Sequence, residues 1–286
     1  MSQVQSSFKD TNSISGDVRV NNRPFIVACI PAYNEEATIA KVILQTRRHV
    51  DHVIVCDDGS TDVTGEIAQA LGAEVIRHER NMGYGAALST LFARARELGA
   101  DVMVLLDGDG QHDPAEIPNV MEPILKGEAD VVTGSRFIGG NNNCIPRYRK
   151  SGIKAITKLA RAMSYDDLTD AQCGFRAFNK KAIILLTPNE SGMGASTELL
   201  LKAKENKLRL KEVPVKVKYE LSEPSSQNAL IHGMDVVLST LKYISTKRPL
   251  LFYGLPGIIA LIIGLGFWVW TFQEFAIRHQ VITNIA

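Results

Sequence analysis

With 286 residues, 45% of them hydrophobic and 22% charged, the chain can bury a sizeable core in one large domain or two small ones, and general disorder is excluded. A formal net charge of +1 offers no broad cationic footprint for phosphate backbones, which argues against a nucleic-acid partner. Cys29, Cys56, Cys144 and Cys173 lie far apart without a Cys-x-x-Cys pair, so neither a zinc site nor a disulfide framework is expected, and a reducing compartment fits best.

Residues 1–22 are rich in Ser, Asn, Asp and Gln and lack an apolar h-region, so they read as a flexible tail and not as a signal peptide. A first strand is expected over 25–30, then the loop Pro31-Ala32-Tyr33-Asn34-Glu35-Glu36, then a helix whose apolar face carries Ile39, Val42 and Ile43. A second strand over 52–56 ends in Asp57-Asp58-Gly59-Ser60, with Thr61 or Asp62 available to cap the next helix. A third runs over 73–77, and Gly83 and Gly85 open a further helix. The full Gly-x-Gly-x-x-Gly spacing is missing there, so a tight turn is preferred to a phosphate cradle.

The most informative stretch is 102–111. An apolar run of strand length stops at Asp107-Gly108-Asp109-Gly110-Gln111. Open α/β sheets bind ligands outside the carboxyl ends of such strands, and two carboxylates with an amide oxygen suit Mg²⁺ or Mn²⁺ held together with substrate phosphates. The bland alternative is a surface turn, since Asp-Gly is a hairpin signal, but no strand-like run returns antiparallel after Gln111. His112 next to it reads as packing or facing solvent, and Asp113 is the nearest further acid. Residues 114–126 look helical and 130–133 strand-like, leading into Gly134-Ser135-Arg136-Phe137. Strands and helices alternate throughout this half, which predicts an α/β domain with a mainly parallel central sheet.

A Gly/Asn-rich loop over 139–149 ends in Arg147, Arg149 and Lys150; it reads as a lid or as a solvated charged edge. Residues 151–163 look helical. Asp170 and Arg176 flank a Cys173-Gly174-Phe175 core, Ser196 begins another helix, and 212–219 alternates like a strand. Leu230, Ile231, Met234, Val237, Leu238, Leu241 and Ile244 form one helical stripe, fit to lie on a bilayer or to pack on the sheet. Residues 249–273 carry no charge and exceed the roughly 20 residues that cross a bilayer core. Lys247 and Arg248 just before them put the preceding domain on the cytoplasmic side. Residues 274–286 are too short for a return span and read as a tail or as the start of a second span cut short.

The motifs Pro31-Ala32-Tyr33-Asn34-Glu35-Glu36, Asp57-Asp58-Gly59-Ser60, Asp107-Gly108-Asp109-Gly110-Gln111, Gly134-Ser135-Arg136-Phe137 and Cys173-Gly174-Phe175-Arg176-Ala177-Phe178 occur in this order. Together with the apolar tail they resemble family 2 glycosyltransferases of the dolichyl-phosphate mannose synthase type, over roughly residues 23–248. The resemblance implies a GT-A nucleotide-sugar-binding domain over 23–226, an amphipathic juxtamembrane helix over 227–248 and a transmembrane helix over 249–273. It implies metal-dependent, inverting transfer of a sugar from a nucleotide-sugar donor to a membrane polyprenyl (dolichyl) phosphate. By position, Pro31, Tyr33, Glu35 and Asp57 would hold the donor nucleoside, and Asp107, Asp109 and Gln111 the metal and the diphosphate. Arg136 would meet the lipid phosphate, with Arg149 as a second cation, and Arg176 would line the same pocket; Asp109, Arg136 and Arg176 are the expected catalytic set.

Two departures keep GDP-mannose, UDP-glucose and UDP-N-acetylglucosamine all open as donors. Gly108 stands where the mannose synthases carry alanine, and 220–228 lacks their basic continuation, while Asn228-Ala229-Leu230-Ile231-His232-Gly233 is closer to relatives that use UDP sugars. Two other functions compete. A processive polysaccharide synthase would need a Gln-x-x-Arg-Trp motif in its catalytic domain, yet both tryptophans lie in the apolar tail. An inactive sugar-nucleotide-binding scaffold would be free to lose the acids that this chain keeps at its strand ends.

Overall fold

Among the described residues, β-branched and aliphatic runs separated by polar turns become seven short strands: β1 (Ile26–Ala32), β2 (His52–Asp57), β3 (Glu74–Arg77), β4 (Val102–Leu105), β5 (Val131–Ser135), β6 (Arg176–Asn179) and β7 (Leu210–Pro214). The computed structural model describes residues 23–139, 167–217 and 250–278, with 152–154, 157, 161 and 245. The strands form one sheet in the order β3-β2-β1-β4-β6-β5-β7, in which β6 alone runs against its neighbours. The Arg149, 1–22 and 218–244 readings lie outside the described residues.

Helices α1 (Ile39–Thr46), α2 (Thr64–Ala70) and α4 (Ile117–Leu125) cover one face. Their Ile39, Val42, Ile43, Ala68, Ile117 and Val120 pack on Ala28, Ile30, Val55 and Val104. Helices α3 (Tyr84–Glu97), α5 (Lys180–Leu185) and α6 (Ala195–Glu205) cover the other. There Leu88, Leu91, Phe92, Ile183 and Leu199 meet Val27, Ile54, Met103 and Phe178. Phe92 and Phe178 pack edge to face, ring centres 5.0 Å apart. Each such buried side chain stabilises the fold by about 1.5–3 kcal/mol before chain entropy is counted.

Expected strands at 25–30, 52–56, 73–77, 102–106 and 130–133 all form, with ends moved by no more than two residues. The 212–219 strand starts earlier and stops at Pro214. Strand β6 and helix α5 had no counterpart in the sequence reading. Four residues of strand followed by six of helix are too short for either period to show.

Past the domain, α7 (Leu255–Arg278) follows a π-helical turn over Leu250–Gly254. The segment Phe252–Ile277 is 26 residues long, and its most apolar 18-residue stretch has a mean hydropathy of 2.0 and is unburied. It is long and apolar enough to cross a membrane. The helix continues through Glu274 to Arg278, so the expected end at 273 falls inside it.

One device recurs along the edge of the sheet where the parallel strands begin. Asp51, Asp101 and Asp130 each stand immediately before a strand and accept an N–H at or one residue before the start of a neighbouring one. Asp51 takes Ile26 at 2.9 Å, Asp101 takes Phe25 at 3.0 Å, and Asp130 takes Arg209 at 2.8 Å. Asp130 holds more, accepting Arg209 Nε at 3.1 Å and Nη2 at 3.0 Å, and Asn179 Nδ2 at 2.9 Å. It thereby ties β5, β6 and β7 at one point.

These Arg209 bonds hold the Asp130 carboxyl far below its ordinary range. A carboxylate depressed in the folded state contributes stability above its unfolded value of about 3.9, and loses it as pH falls toward the folded value. Asp130→Asn should therefore lower stability by about 1.5–3 kcal/mol near pH 6. The gap to the unsubstituted protein should narrow as pH drops below about 3.9. Melting temperatures of both proteins across that range check it; a gap independent of pH would discharge the carboxylate from this role.

Candidate active site

The register puts Ala32 beside Asp57 and Cys29 beside Leu105, so the loops after β1, β2 and β4 leave the sheet at one level. Beyond β4 the backbone still follows β1, with Leu106 N–H donating to Cys29 O and Gly108 N–H to Pro31 O, both at 3.2 Å. It then turns at Gly110, whose φ of +70° is a left-handed conformation that glycine adopts without strain. Asp109 Oδ1 accepts the Gln111 N–H at 2.9 Å and fixes that turn. The Thr38 hydroxyl, at the start of α1, lies 2.7 Å from Gly108 O and 3.1 Å from Glu35 Oε2, which joins the first loop to the acid motif. At Gly108 an added Cβ would come within 3.3 Å of Ala32 Cβ and Pro31 O.

Asp107 is seated from three sides. The Tyr84 hydroxyl, at the start of α3, donates to Oδ1 at 3.3 Å. Gly174 comes so close that an added Cβ would stand 2.4 Å from Oδ2. His112 Nε2 lies 3.8 Å from the same oxygen, with its ring 5.3 Å from that of Phe175 and its Nδ1 buried without a hydrogen-bond partner among the described residues. Beneath them Arg176 is fully buried and donates to the carbonyls of Cys173 at 2.9 Å, Ser196 at 2.6 Å and Ala171 at 3.0 Å.

The electrostatics follow from crowding. Burial, then the charge of Asp109, pushes the Glu35 carboxyl up to about 7. The same two causes raise Asp107, against the Tyr84 hydrogen bond and the Arg176 and Arg136 charges. Burial and then Asp107 push the Tyr84 hydroxyl well above its ordinary value, so it stays a donor. Burial, with the Arg136 charge second, brings His112 down to about 4, which leaves the imidazole neutral at pH 7.

Tyr33, Glu35, Asp107, Asp109 and Gln111 thus share one end of the sheet, past β1 and β4, whereas Pro31 is buried within β1. Arg136 follows β5 on the same side and is bound by Asp170. Asp57 is different. Its side chain is fully buried, with Oδ1 accepting Ser60 N–H at 2.9 Å and Oδ2 facing Arg77 Nε at 3.3 Å, so it builds the 57–60 turn from within. Arg176 likewise lies under the mouth and not on its lining.

The turn at Gly83 and Gly85 is packing, as its spacing suggested. Asp58 takes the N–H groups of Met82 at 2.9 Å and Gly83 at 2.8 Å, Gly85 donates to Ser191 O at 2.7 Å, and an added Cβ at Gly85 would meet Glu190 O at 1.8 Å. Sequence reasoning gave no role to Tyr84, which lies between those glycines, and named Gly174 only as part of a motif. It named His112 without placing it, and the ring packs.

The arrangement suits a divalent cation. Two hard carboxylates that repel each other, with Glu35 raised beside them, are what a cation would stabilise. Among the described residues no three His, Cys, Asp or Glu side chains form a ligating cluster, so an ion here would complete its shell with Gln111, water and substrate phosphates.

Comparison with known proteins identifies the family. Residues 27–186 match the glycosyl transferase family 2 model. A UDP-N-acetylglucosamine–dolichyl-phosphate N-acetylglucosaminyltransferase of Methanococcus voltae is 36% identical over 228 residues, covering 72% of this chain and 91% of that protein. An undecaprenyl-phosphate mannosyltransferase of Micrococcus luteus is 31% identical over 218 residues, covering 72% and 89%. Among solved structures, glucosyl-3-phosphoglycerate synthase of Mycobacterium tuberculosis, in complex with Mn²⁺, UDP-glucose and phosphoglyceric acid, superposes with a TM-score of 0.61 at 27% identity, covering 77% of this chain and 79% of that one. The chain therefore belongs to glycosyltransferase family 2, with a GT-A-like fold, and is an enzyme of sugar transfer.

Proposed function

We propose that the protein transfers a sugar, with inversion, from a nucleotide-sugar donor to the phosphate of a membrane polyprenyl (dolichyl) lipid, using Mg²⁺ or Mn²⁺. The observation that carries this reading is the meeting of Asp107 and Asp109 with Arg136 at one end of the sheet, in a chain followed by an exposed apolar helix. The names of the Methanococcus and Micrococcus relatives support the acceptor class. The first relative's name and the UDP-glucose complex favour a UDP sugar, with N-acetylglucosamine ahead of glucose, over GDP-mannose. One donor screen, offering all three against undecaprenyl phosphate, decides among them. Helix α7 spans the membrane in this reading, and Lys247 and Arg248 hold the catalytic domain at the cytoplasmic face.

In this reading Pro31, Tyr33 and Glu35 receive the nucleoside, and Asp57 shapes their neighbouring turn from below. Asp107, Asp109 and Gln111 would hold the cation, Arg176 supports the Asp107 seat, and Arg136, with Arg149, meets the acceptor phosphate. A bound divalent ion supplies neutralisation of the diphosphate and of the nucleoside diphosphate as it departs. The acceptor needs no base. A phosphate monoester has its second pKa at about 6, so its oxygen is already an anion at neutral pH and has only to be held in line behind the anomeric carbon.

Asp109→Asn should leave the protein folded, weaken Mn²⁺ binding measured directly by electron paramagnetic resonance, and cost at least about 10²-fold in turnover. Near-normal binding and rate would remove Asp109 from the metal.

Arg136→Ala should weaken the use of undecaprenyl phosphate far more than nucleotide binding, because a charge-assisted partner of phosphate is lost. An equal loss of nucleotide affinity in a direct binding assay would move Arg136 to the donor side.

Asp113 accepts the Ala115 N–H at 3.1 Å and so caps the short helix after the metal loop. Asp113→Asn should slow the reaction less than Asp109→Asn, and the rate should rise with pH through the lipid phosphate's ionisation near about 6 and then level off. Loss of that alkaline plateau in Asp113→Asn would reinstate a general base.

A further inference from the structure

Arg136 does not stand alone at the end of β5. Its Nε donates to Asp170 Oδ2 at 2.6 Å and its Nη2 to Asp170 Oδ1 at 2.7 Å, a two-pronged pair. The same carboxylate accepts the backbone N–H of Arg136 at 3.2 Å and of Gln172 at 3.1 Å, and its side chain is fully buried. Asp170 is fixed in turn by Glu212 on β7. Glu212 Oε1 accepts the Asp170 N–H at 2.9 Å, and Oε2 accepts the Thr169 N–H at 2.7 Å and hydroxyl at 2.8 Å. The Thr169 hydroxyl also meets Ser135 Oγ, one residue before Arg136, at 2.6 Å.

Burying a carboxylate is expensive unless it is paired, and Asp170 is paired with Arg136, while the half-buried Glu212 is met by two backbone N–H groups and a hydroxyl. An arginine left to itself at a cleft mouth loses side-chain rotamer entropy when it grips a ligand. One already clamped has met that cost in folding. Only 14% of the Arg136 side chain stays accessible, so the clamp also decides which part of it a ligand can reach.

We infer that Asp170 is a positioning residue for the acceptor. It aims the Arg136 guanidinium, through a two-pronged pair anchored by Glu212, so that the accessible part of Arg136 meets the phosphate of the lipid. This rests on the reading of Arg136 as the acceptor's cation. Glu212 acts one step further back, by holding the 169–170 turn.

The experiment is a double-mutant cycle on the full-length protein in detergent, with undecaprenyl phosphate as acceptor. Asp170→Asn keeps the shape but offers the fork one acceptor oxygen and no charge. Its acceptor KM should rise about tenfold, the scale of one charge-assisted hydrogen bond. Its kcat and its affinity for UDP with Mn²⁺ should stay within about twofold. In an Arg136→Ala background the same substitution should change acceptor KM by less than about twofold, since no guanidinium remains to be aimed. If Arg136→Ala fails to fold because Asp170 is left without its counter-charge, Arg136→Lys takes its place, and the same non-additivity is expected. A normal acceptor KM in the Arg136 variant alone overturns the acceptor reading and this inference with it. A raised KM there, with a full tenfold Asp170 effect still added on top, overturns only the positioning role of Asp170.

Discussion

Three carboxyl groups, those of Glu35, Asp107 and Asp109, are brought into one half-enclosed mouth by the ends of β1 and β4. Like charges gathered where water is partly excluded repel one another and favour the uncharged forms. A sheet that merely needed to fold would have no reason to gather them. The surroundings are arranged to tolerate the crowding. Tyr84 gives Asp107 a hydrogen, Arg176 and Arg136 lend it positive field, and Thr38 bridges Glu35 to the Gly108 carbonyl.

Arg176 shows how much is invested beneath that mouth. A fully buried guanidinium would be ruinous alone, yet three backbone carbonyls take its hydrogens and its charge lies near Asp107 and Tyr84. It also nails the 171–173 segment and the start of α6 to β6, so the Gly174 backbone can press against Asp107. Electrostatic support and mechanical support are here one side chain. The neutral His112, wedged on Phe175, closes the remaining side with bulk and adds no charge.

Much of this could be read from the chain. Parallel strands that end in acids announce themselves, because a buried parallel strand is a continuous apolar run and its end is where the polar letters begin. That logic found β1, β2, β4 and β5 and placed Asp107 and Asp109 correctly at a strand end. It could not tell Asp57 from Asp107. Both follow an apolar run, but one side chain turns inward to cap its own loop, and alternation at a strand end cannot say which neighbour will claim the carboxylate. Strand β6 escaped because four residues carry no measurable period, and Arg176 looked like a cleft residue for the ordinary reason that arginines seldom lie fully buried. Tyr84 was hidden between two glycines whose backbone role was obvious. The clamp on Arg136 joins positions 136, 170 and 212, and such long-range pairing leaves no local trace.

The three aspartates at the far edge of the sheet have a consequence for the catalytic end. Asp51 pins the first amide of β1, and Asp101 and Asp130 pin the amides just before β1 and β7. A slip of one residue would turn every side chain of a strand to the opposite face. With the starting line held, the number of residues in each strand alone sets how far its last residue reaches. Ala32 and Asp57 arrive abreast, and the Asp107–Gln111 loop clears the sheet beside them. The reactive end is levelled from below, like posts cut to length on a common footing. Insertions in the upper loops can then retune what the enzyme accepts, whereas a single residue added inside a strand would carry its acid out of the mouth altogether.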